Sequence, residues 1–357
     1  MWLAHHSEWS RLNNGNGNAS TNTHPLLCHS RPIHIIPPPL KNIHQLTEDE
    51  DMKTTGMLLA FSALTIVCST SNGEVLDAKV KKVSEGPTLD GKADDPCWQS
   101  ATGYKVDLLG VGDLIVTKIR STMKVVQDGK SVHFLFIWED PDASIKHKSY
   151  VWSEKKNFYQ EINDLEDQFS VAFELKGAFS ANMLTPLRSR IPIYWDVWQW
   201  GAARTDNGYA LDLWHIYSQK ALSPKIKKQS KHRDRQGKII WMARPDDKGT
   251  PVYSEKKMMS AQRRKKTAPA VARFHTTKPT GSAADVTARA TWADGKWTIE
   301  MSRGLKTKDT AWPRGKYPTG APDVQFVAGK TYKMALASFN HIEGNTHYAS
   351  DVIRLTF

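Results

Sequence analysis

The sequence is poor in cysteine and lacks the motifs of the commonest enzyme classes. Among its 357 residues only Cys28, Cys68 and Cys97 are cysteines, too few for a disulfide scaffold or a four-cysteine metal cluster. No C-x-x-C pair occurs, which excludes covalently attached c-type haem and the common zinc ribbon. The patterns G-x-x-x-x-G-K-[ST], G-x-S-x-G and H-E-x-x-H are also absent. The usual NTPase, serine-hydrolase and metalloprotease functions are therefore not indicated.

Long hydrophobic runs are scarce, and the clearest one spans only 57–67. A transmembrane helix needs about twenty apolar residues, so no transmembrane segment is predicted. The run follows Met52-Lys53 and precedes small polar residues, which predicts a secretory signal peptide at 52–73 and a periplasmic protein. Residues 1–51 then form a disordered leader upstream of the true start at Met52. The alternative is a genuine leader followed by a core helix.

Net positive charge is confined to one segment. The chain carries a formal charge of +12, and residues 219–266 contain sixteen Lys and Arg against four Asp and Glu. This segment therefore holds the whole excess, whereas a nucleic-acid-binding domain spreads its charge over a folded face. We predict no nucleic-acid partner and a solvated insertion loop at 219–266. Contact of this loop with acidic lipid, nucleic acid or an acidic partner subunit is the alternative.

The mature chain is predicted to be mainly β. Two pairs of strand-like runs meet at Asp-Gly turns, 119–126 with 131–138 and 286–292 with 297–301. Further strands are predicted at 168–175, 331–339 and 352–357. Short strands at this spacing favour an antiparallel two-sheet β-sandwich with long helix or loop insertions. The connections 140–167 and 176–285 are expected to leave the sandwich.

Thirteen tryptophans are an unusually heavy load, and several lie in one stretch at 195–214. This stretch could form a satellite aromatic cluster beneath a long loop. It could instead form the wall of a site for a flat apolar ligand, with Trp198 in the wall and Arg204 available for an acidic group.

Several motifs, in a fixed order along the chain, resemble one family. They are L-D-G-K-A-D-D-P-C-W at 89–98, E-D-Q-F at 166–169, D-x-W-x-W-x-A-A-R at 196–204 with G-Y-A-x-D at 208–212, D-G-K-W-T-I-E at 294–300, R-x-L at 303–305, D-V-Q-F at 323–326 and H-Y-A-S at 347–350. Together they resemble the haem-binding domain of the ethylbenzene dehydrogenase type, the γ subunit of type II DMSO-reductase-family molybdoenzymes. The resemblance implies a DOMON-like sandwich over 83–357. Where many relatives have His and Lys within the W-x-W-x-A-A-R motif, this chain has Gln199 and Gly201.

The resemblance implies a non-covalent haem b that transfers single electrons. It implies a methionine ligand at Met183, with Lys306 or His347 on the opposite side of the iron, and it adds Trp198 and Arg204 as cofactor-binding candidates. A thioether with a nitrogen ligand raises the haem reduction potential. The implied partners are a molybdenum-containing catalytic subunit and an iron–sulfur subunit, and a soluble cytochrome c is a further candidate.

A second function class stays open at this point. The sandwich could be a non-catalytic ligand-binding domain similar to carbohydrate-binding modules, which present aromatic side chains to a ligand. An enzyme with its own active site is the least favoured reading, because no nucleophile–base pair or metal triad can be named from the sequence.

Overall fold

The structure is a computed structural model, and it describes residues 75–111, 114, 117–177, 179, 191–222, 224, 226, 229–233, 238–245, 247–312, 322–341 and 347–357. The strands are β1 Leu76–Lys79, β2 Lys81–Lys82, β3 Tyr104–Val111, β4 Lys118–Gln127, β5 Ser131–Glu139, β6 Tyr150–Ser153, β7 Phe158–Glu161, β8 Gln168–Lys176, β9 Ile193–Gly201, β10 Leu211–Ser218, β11 Gln229–Arg233, β12 Ile239–Ala243, β13 Tyr253–Glu255, β14 Ala270–Val271, β15 Phe274–Thr276, β16 Thr287–Ala293, β17 Lys296–Gly304, β18 Thr331–Phe339, β19 His347–Ala349 and β20 Ile353–Thr356. The helices are short, α1 Pro96–Ser100 and α2 Ser260–Arg263, with a 3-10 turn at Gly281–Ala284.

The architecture is the predicted antiparallel β-sandwich. One layer has the order β11-β12-β10-β9-β8-β18, and the other has the order β3-β4-β5-β17-β16. The short strand β19 pairs with β18 in the first layer and with β3 in the second, so it joins the two layers. β20 pairs with β18 and, in parallel, with β1.

Aromatic side chains fill the space between the layers. Trp138 of β5 lies 4.7 Å, between ring centroids, from Phe169 of β8. Trp200 of β9 lies 4.9 Å from Trp297 of β17 in an edge contact. Such pairs add to the free energy of burying their large apolar surfaces. Trp138, Trp200 and Trp297 therefore belong to the core on which the two layers pack.

Both predicted Asp-Gly hairpins are confirmed. β4 pairs with β5 across Asp128 and Gly129, and β16 pairs with β17 across Asp294 and Gly295. Asp294 and Gly295 both have positive φ, at 50° and 71°, as a two-residue type I′ turn requires. The strands predicted at 168–175, 331–339 and 352–357 correspond to β8, β18 and β20.

The expectation that connection 176–285 leaves the sandwich is wrong for β9 and β10. These two strands are central in their layer, and all their residues are buried. The inward face of β9 includes Trp198 and Trp200, while Trp195 and Val197 pack on its other face in a second apolar cluster. Because both faces are covered, the strand has none of the polar–apolar alternation by which a half-exposed strand is recognised.

The prediction of a solvated loop at 219–266 is also wrong for part of that segment. β12 adds to the edge of β10, and β11 adds to β12. Ile240 and Met242 of β12 are 2% and 1% exposed. The basic average of the segment conceals the apolar pentapeptide Ile-Ile-Trp-Met-Ala, which is long enough to form a buried strand.

The connection 140–167 and residues 253–276 form two small sheets beside the sandwich. β14, β6 and β7 make one sheet, and β13 and β15 make the other. Arg273 links the two, because its guanidinium contacts Glu161 of β7 and Glu255 of β13. Within the described part of the chain, no helix combines the length and apolarity that crossing a bilayer requires.

Candidate functional site

Two of the sequence motifs meet at the carboxylate of Glu300. Its Oε2 accepts hydrogen bonds from the backbone N–H groups of Asp90 and Gly91, each 2.9 Å long. Its Oε1 accepts from the indole Nε1–H of Trp98 at 2.7 Å. Burial raises the pKa of Glu300, and these three donors lower it in part. The first motif is thus fastened to β17 by a buried, fully engaged carboxylate.

Arg204, expected to await an acidic ligand, already has an acidic partner in this chain. Its Nε–H donates to Oε1 of Glu166, whose Oε2 accepts the backbone N–H groups of Ala203 and Arg204 at 2.6 and 2.9 Å. Arg204 Nη2 also donates to Gln168 at 3.0 Å. Arg204 as a whole is 8% exposed, and its guanidinium lies over the rings of Tyr253 and Phe274. The cofactor-binding role that the resemblance implies for Arg204 stays a prediction, although Glu166 already neutralises this guanidinium.

The E-D-Q-F motif explains the departures at Gln199 and Gly201. Gln199 donates its amide to Gln168 at 2.6 Å. A side chain at Gly201 would begin 2.8 Å from Oε2 of Glu166, closer than side-chain atoms approach. A side chain at position 201 would therefore require the Glu166 carboxylate, which pairs with Arg204, to shift.

Asp140 and Asp167 form an acidic pair, with Asp140 just after the end of β5 and Asp167 just before the start of β8. Asp167 accepts the backbone N–H groups of Ser144 and His341 at 2.7 and 3.0 Å and the indole N–H of Trp297 at 3.1 Å. Asp140 accepts the side-chain amide of Asn340 at 3.0 Å. Burial, and then the charge of Asp167, raises the pKa of Asp140 to about 7.

Four further motif residues converge on the buried guanidinium of Arg303. Nη1 donates to Oδ2 of Asp196 at 2.8 Å and lies 3.8 and 3.9 Å from carboxylate oxygens of Asp212 and Asp323. Nη2 donates to the carbonyl of Val324 at 2.7 Å. These residues come from motifs that span more than a hundred positions, so the network ties β9, β10 and β17 to the segment before β18. We use the name acidic cluster for Arg303 together with the five aspartates around it, Asp196, Asp212, Asp247, Asp285 and Asp323.

Burial raises the pKa of Asp212, Asp247, Asp285 and Asp323 in the acidic cluster. Burial raises the pKa of Asp212 well above its usual range, against the attraction of Arg303. Burial and the neighbouring aspartates Asp323 and Asp196 raise the pKa of Asp247 to about 8. Burial, and then the charge of Asp196, raises the pKa of Asp323 to about 6. The cluster thus holds more carboxyl groups than one guanidinium can neutralise.

Trp198 lies in the core between the layers. It is fully buried, its ring lies 5.0 Å from that of Phe173, and the guanidinium of Arg303 stands 4.7 Å above it. A side chain enclosed by its own protein has no face free for a flat ligand. Of the two interpretations of the tryptophan stretch, the structure favours core packing.

The three candidate ligands of the haem iron, Met183, Lys306 and His347, lie in different parts of the chain. Met183 lies outside the described residues, in the connection between β8 and β9. Lys306 is exposed and follows Leu305, whose N–H donates to the carbonyl of Lys130 at 2.8 Å. The segment after Lys306 reaches Trp312, whose ring lies 5.1 Å from that of Tyr194, and Lys176 stands above the same indole. Lys306 is therefore joined by a short segment to the strand ends that flank Met183.

His347 lies near the opposite end of β8. Its ring stacks on Phe339 at 5.2 Å, and Phe339 pairs with Gln168, the first residue of β8. Burial lowers the pKa of His347 well below its usual range, so the imidazole is neutral. The other end of this nine-residue strand, which Met183 follows in the sequence, lies roughly 25 Å away along β8.

Comparison with family models agrees with the motifs. A model described as ethylbenzene dehydrogenase matches residues 95–350, most of the chain. The chain belongs to the ethylbenzene dehydrogenase family. Among curated proteins no sequence matches it.

Solved structures similar to this ethylbenzene dehydrogenase family member are distant. A carbohydrate-binding module of family 9 from Caldicellulosiruptor kristjanssonii, in complex with cellotriose, has 9% identity and a TM-score of 0.32, over 79% of this chain and 94% of that chain. A putative carbohydrate-binding protein from Bacteroides uniformis has 10% identity and a TM-score of 0.29, over 78% of this chain and 91% of that chain.

Sequence reasoning missed the acidic cluster of this family member. Asp212 and Asp323 stand in motifs that were recognised only as marks of the family, and their polar side chains at ends of apolar runs were the available signal. Asp285 and Asp247 belong to no motif. Only the folded chain brings them together, because the 3-10 turn before Asp285 lies beside β10.

Proposed function

We propose that this chain is a haem b-binding electron-transfer subunit of an exported molybdoenzyme-type complex. Membership of the ethylbenzene dehydrogenase family supports this assignment, and it favours a molybdenum-containing catalytic subunit and an iron–sulfur subunit as partners, with a soluble cytochrome c as a further one. The chain itself would be non-catalytic. When bound, haem b supplies one-electron oxidation and reduction.

We propose Met183 and Lys306 as the residues that hold the iron. The observation that carries this choice is the contact of Trp312 with Tyr194 and Lys176, which brings the segment after Lys306 to the strand ends flanking Met183. The side chain of Lys306 is exposed and makes no ion pair with any described residue. His347 fits less well, because it is 1% exposed and lies near the other end of β8.

Lys306 has a defined task in this proposal. An amine binds a metal only in its neutral form, so haem binding at Lys306 releases a proton. Trp312 and Ile191, which are 37% and 55% exposed, offer apolar surface beside the same strand ends. Coverage of such surface by the macrocycle would exclude water from the amine.

Visible spectroscopy of three variants tests the ligand set. Met183→Leu preserves volume and apolarity but removes the sulfur. We expect the low-spin haem spectrum to become high-spin and the reduction potential to fall, with folding retained. Lys306→Leu, which offers no ligand atom, should also remove the low-spin spectrum, whereas His347→Ala should leave it unchanged in folded protein. Lys308→Leu, at a second exposed lysine of the same segment, is the matched control and should behave as wild type.

The outcomes separate the proposal from its alternative. Loss of the low-spin spectrum in His347→Ala, with the spectrum of Lys306→Leu unaffected, would transfer the ligand role to His347. A wild-type protein that is colourless after reconstitution with haem would contradict the haem proposal and support a non-catalytic ligand-binding domain.

Export is proposed from the apolar run at 57–67, which lies outside the described residues. If Met52 is the start and 52–73 are cleaved, N-terminal sequencing of the native protein should begin near Asn72 or Glu74. Recovery of an intact Met1 terminus from the cytoplasm would contradict this prediction.

A further inference from the structure

Three carboxylates of the acidic cluster approach one another closely enough to share an ion. Asp212 of β10, Asp285 before β16 and Asp323 before β18 each contribute an oxygen, and these oxygens all lie within 4.8 Å of one another. Ca²⁺ binds its oxygen ligands at about 2.3–2.6 Å, so oxygens on opposite sides of the ion are roughly 5 Å apart. The spacing of the three oxygens matches that range.

The carboxylate of Asp212 independently indicates a missing ligand. Its side chain is 1% exposed, and within the described part of the protein neither of its oxygens accepts a hydrogen bond. The nearest guanidinium nitrogen, Nη1 of Arg303, is 3.8 Å away and donates to Asp196 instead. Oδ2 of Asp323 is likewise buried without a hydrogen bond. Buried carboxylate oxygens without donors are costly unless a cation binds them.

The charge balance of the cluster points in the same direction. Arg303 is the basic residue of the cluster, and it faces Asp196, Asp212 and Asp323 directly. Asp285 adds its carboxylate from the 3-10 turn, and Asp247 lies next to β10 through its N–H bond to the carbonyl of Asp212. A divalent cation would offset the negative charge that one guanidinium leaves.

We propose that Asp212, Asp285 and Asp323 bind a Ca²⁺ ion, with backbone carbonyls or water completing its coordination. Hard divalent cations prefer carboxylate oxygens, and Ca²⁺ tolerates irregular geometry with six to eight ligands. The ion would cross-link β10, the segment before β16 and the segment before β18. Its role is structural, and the proposal does not depend on whether the chain binds haem.

Calcium titration of the full chain tests the site. After removal of metals with EGTA, thermal unfolding is followed with increasing Ca²⁺, and terbium, a luminescent substitute for Ca²⁺, is added in a parallel experiment. A hundredfold excess of Ca²⁺ over its Kd should raise Tm by roughly 5–10 °C. Mg²⁺, which requires shorter bonds, should give less than half of that shift. Trp198, which contacts Arg303, is positioned to sensitise terbium luminescence.

Single substitutions locate the effect. Asp212→Asn should abolish both the Tm shift and the terbium signal. Asp285→Asn, at a half-buried position, should raise the metal concentration needed for each effect at least tenfold. Asp140→Asn is the matched control, since it makes the same change at a buried aspartate outside the cluster. If Asp212→Asn does not fold, Asp285→Asn decides. A Tm unaffected by Ca²⁺, an equal response to Mg²⁺, or an undiminished response in the folded variants would overturn the proposal.

Discussion

Asp140 shows how a single buried carboxyl makes stability depend on pH. In an unfolded chain an aspartate titrates near pH 3.8, whereas burial and Asp167 raise the pKa of folded Asp140 to about 7. Between these values the folded state binds the proton more tightly. The stability that this proton contributes is complete below pH 4 and is lost as the pH rises through 7.

We therefore expect Asp140→Asn to change stability in a pH-dependent manner. Asparagine keeps the size and the oxygen that accepts from Asn340, but it cannot ionise. The variant should equal wild type near pH 4 and exceed it by about 2–4 kcal/mol at pH 8, since each pKa unit corresponds to about 1.4 kcal/mol. Urea unfolding at a series of pH values measures this difference.

The exposed neighbour Asp142 supplies a comparison for that experiment. Its side chain is 66% exposed, and its charge contributes to the raised pKa of Asp140, so Asp142→Asn should produce a smaller change of the same sign. A difference between Asp140→Asn and wild type that stays constant from pH 4 to pH 8 would contradict the assignment.

At the residue level, the sequence identified polar positions without their partners. Arg204 and Glu166 were both recognised within motifs, but nothing in a linear pattern indicates that one neutralises the other. A buried ion pair forms between residues 38 positions apart, and that proximity arises only from the pairing of β8 with β9. The sequence therefore did not indicate that Glu166 already neutralises Arg204, the residue expected to contact an acidic group.

Turn chemistry was the most reliable local signal at the level of elements. Asp-Gly pairs between alternating strands predicted both hairpins, because glycine adopts positive φ without a steric cost. The strands β9 and β10 escaped recognition because burial on both faces removes alternation. Strand β12 was hidden within a basic segment for a related reason, since composition averages over both buried and exposed residues.

Gly295 allows the turn contribution to be measured by itself. A Cβ at this position would contact only the carbonyl oxygen of Asp140, at 3.9 Å, so the added methyl group meets open space. Its φ of 71° is nevertheless unfavourable for alanine. Gly295→Ala should destabilise the protein by about 1–2 kcal/mol through backbone conformation alone.

Gly103→Ala is the matched control for the turn variant. A Cβ there would make ordinary contacts with Thr122 and Lys124, at 3.5 and 3.6 Å, and Gly103 has no positive φ. Urea unfolding should give this variant the stability of wild type or slightly more. Equal destabilisation of both variants would show that the turn conformation is not responsible.

For the whole molecule, the sandwich followed from the number and spacing of predicted strands. The family followed from the order of motifs, which the match over 95–350 confirms. Neither kind of signal reports on contacts between distant segments, so the acidic cluster and the small sheets beside the sandwich were not foreseen.

The basic segment remains a candidate for electrostatic docking. Arg264 and Lys265 are exposed beside α2 and form no ion pair with a described residue. Charge reversal at both positions should reduce the amount of partner subunits retained by the tagged chain and flatten its dependence on salt between about 0.05 and 0.5 M. Lys330→Glu, at an exposed turn before β18, is the control. Retention independent of salt in wild type would contradict docking by charge.

Because β19 joins the two layers into one ladder of strands, the two end strands of that ladder are the edges at which the protein could associate with itself. The described ladder of strands ends at β11 on one side and at β16 on the other, and an unpaired edge is where a second copy could add its own strand. β11 has the sequence Gln-Ser-Lys-His-Arg, and β16 carries an exposed Arg289. Positive charge on both edges opposes pairing between identical chains, because each would bring like charges together. β11 belongs to the basic segment for which we predict docking to an acidic partner, so part of that segment would also oppose aggregation.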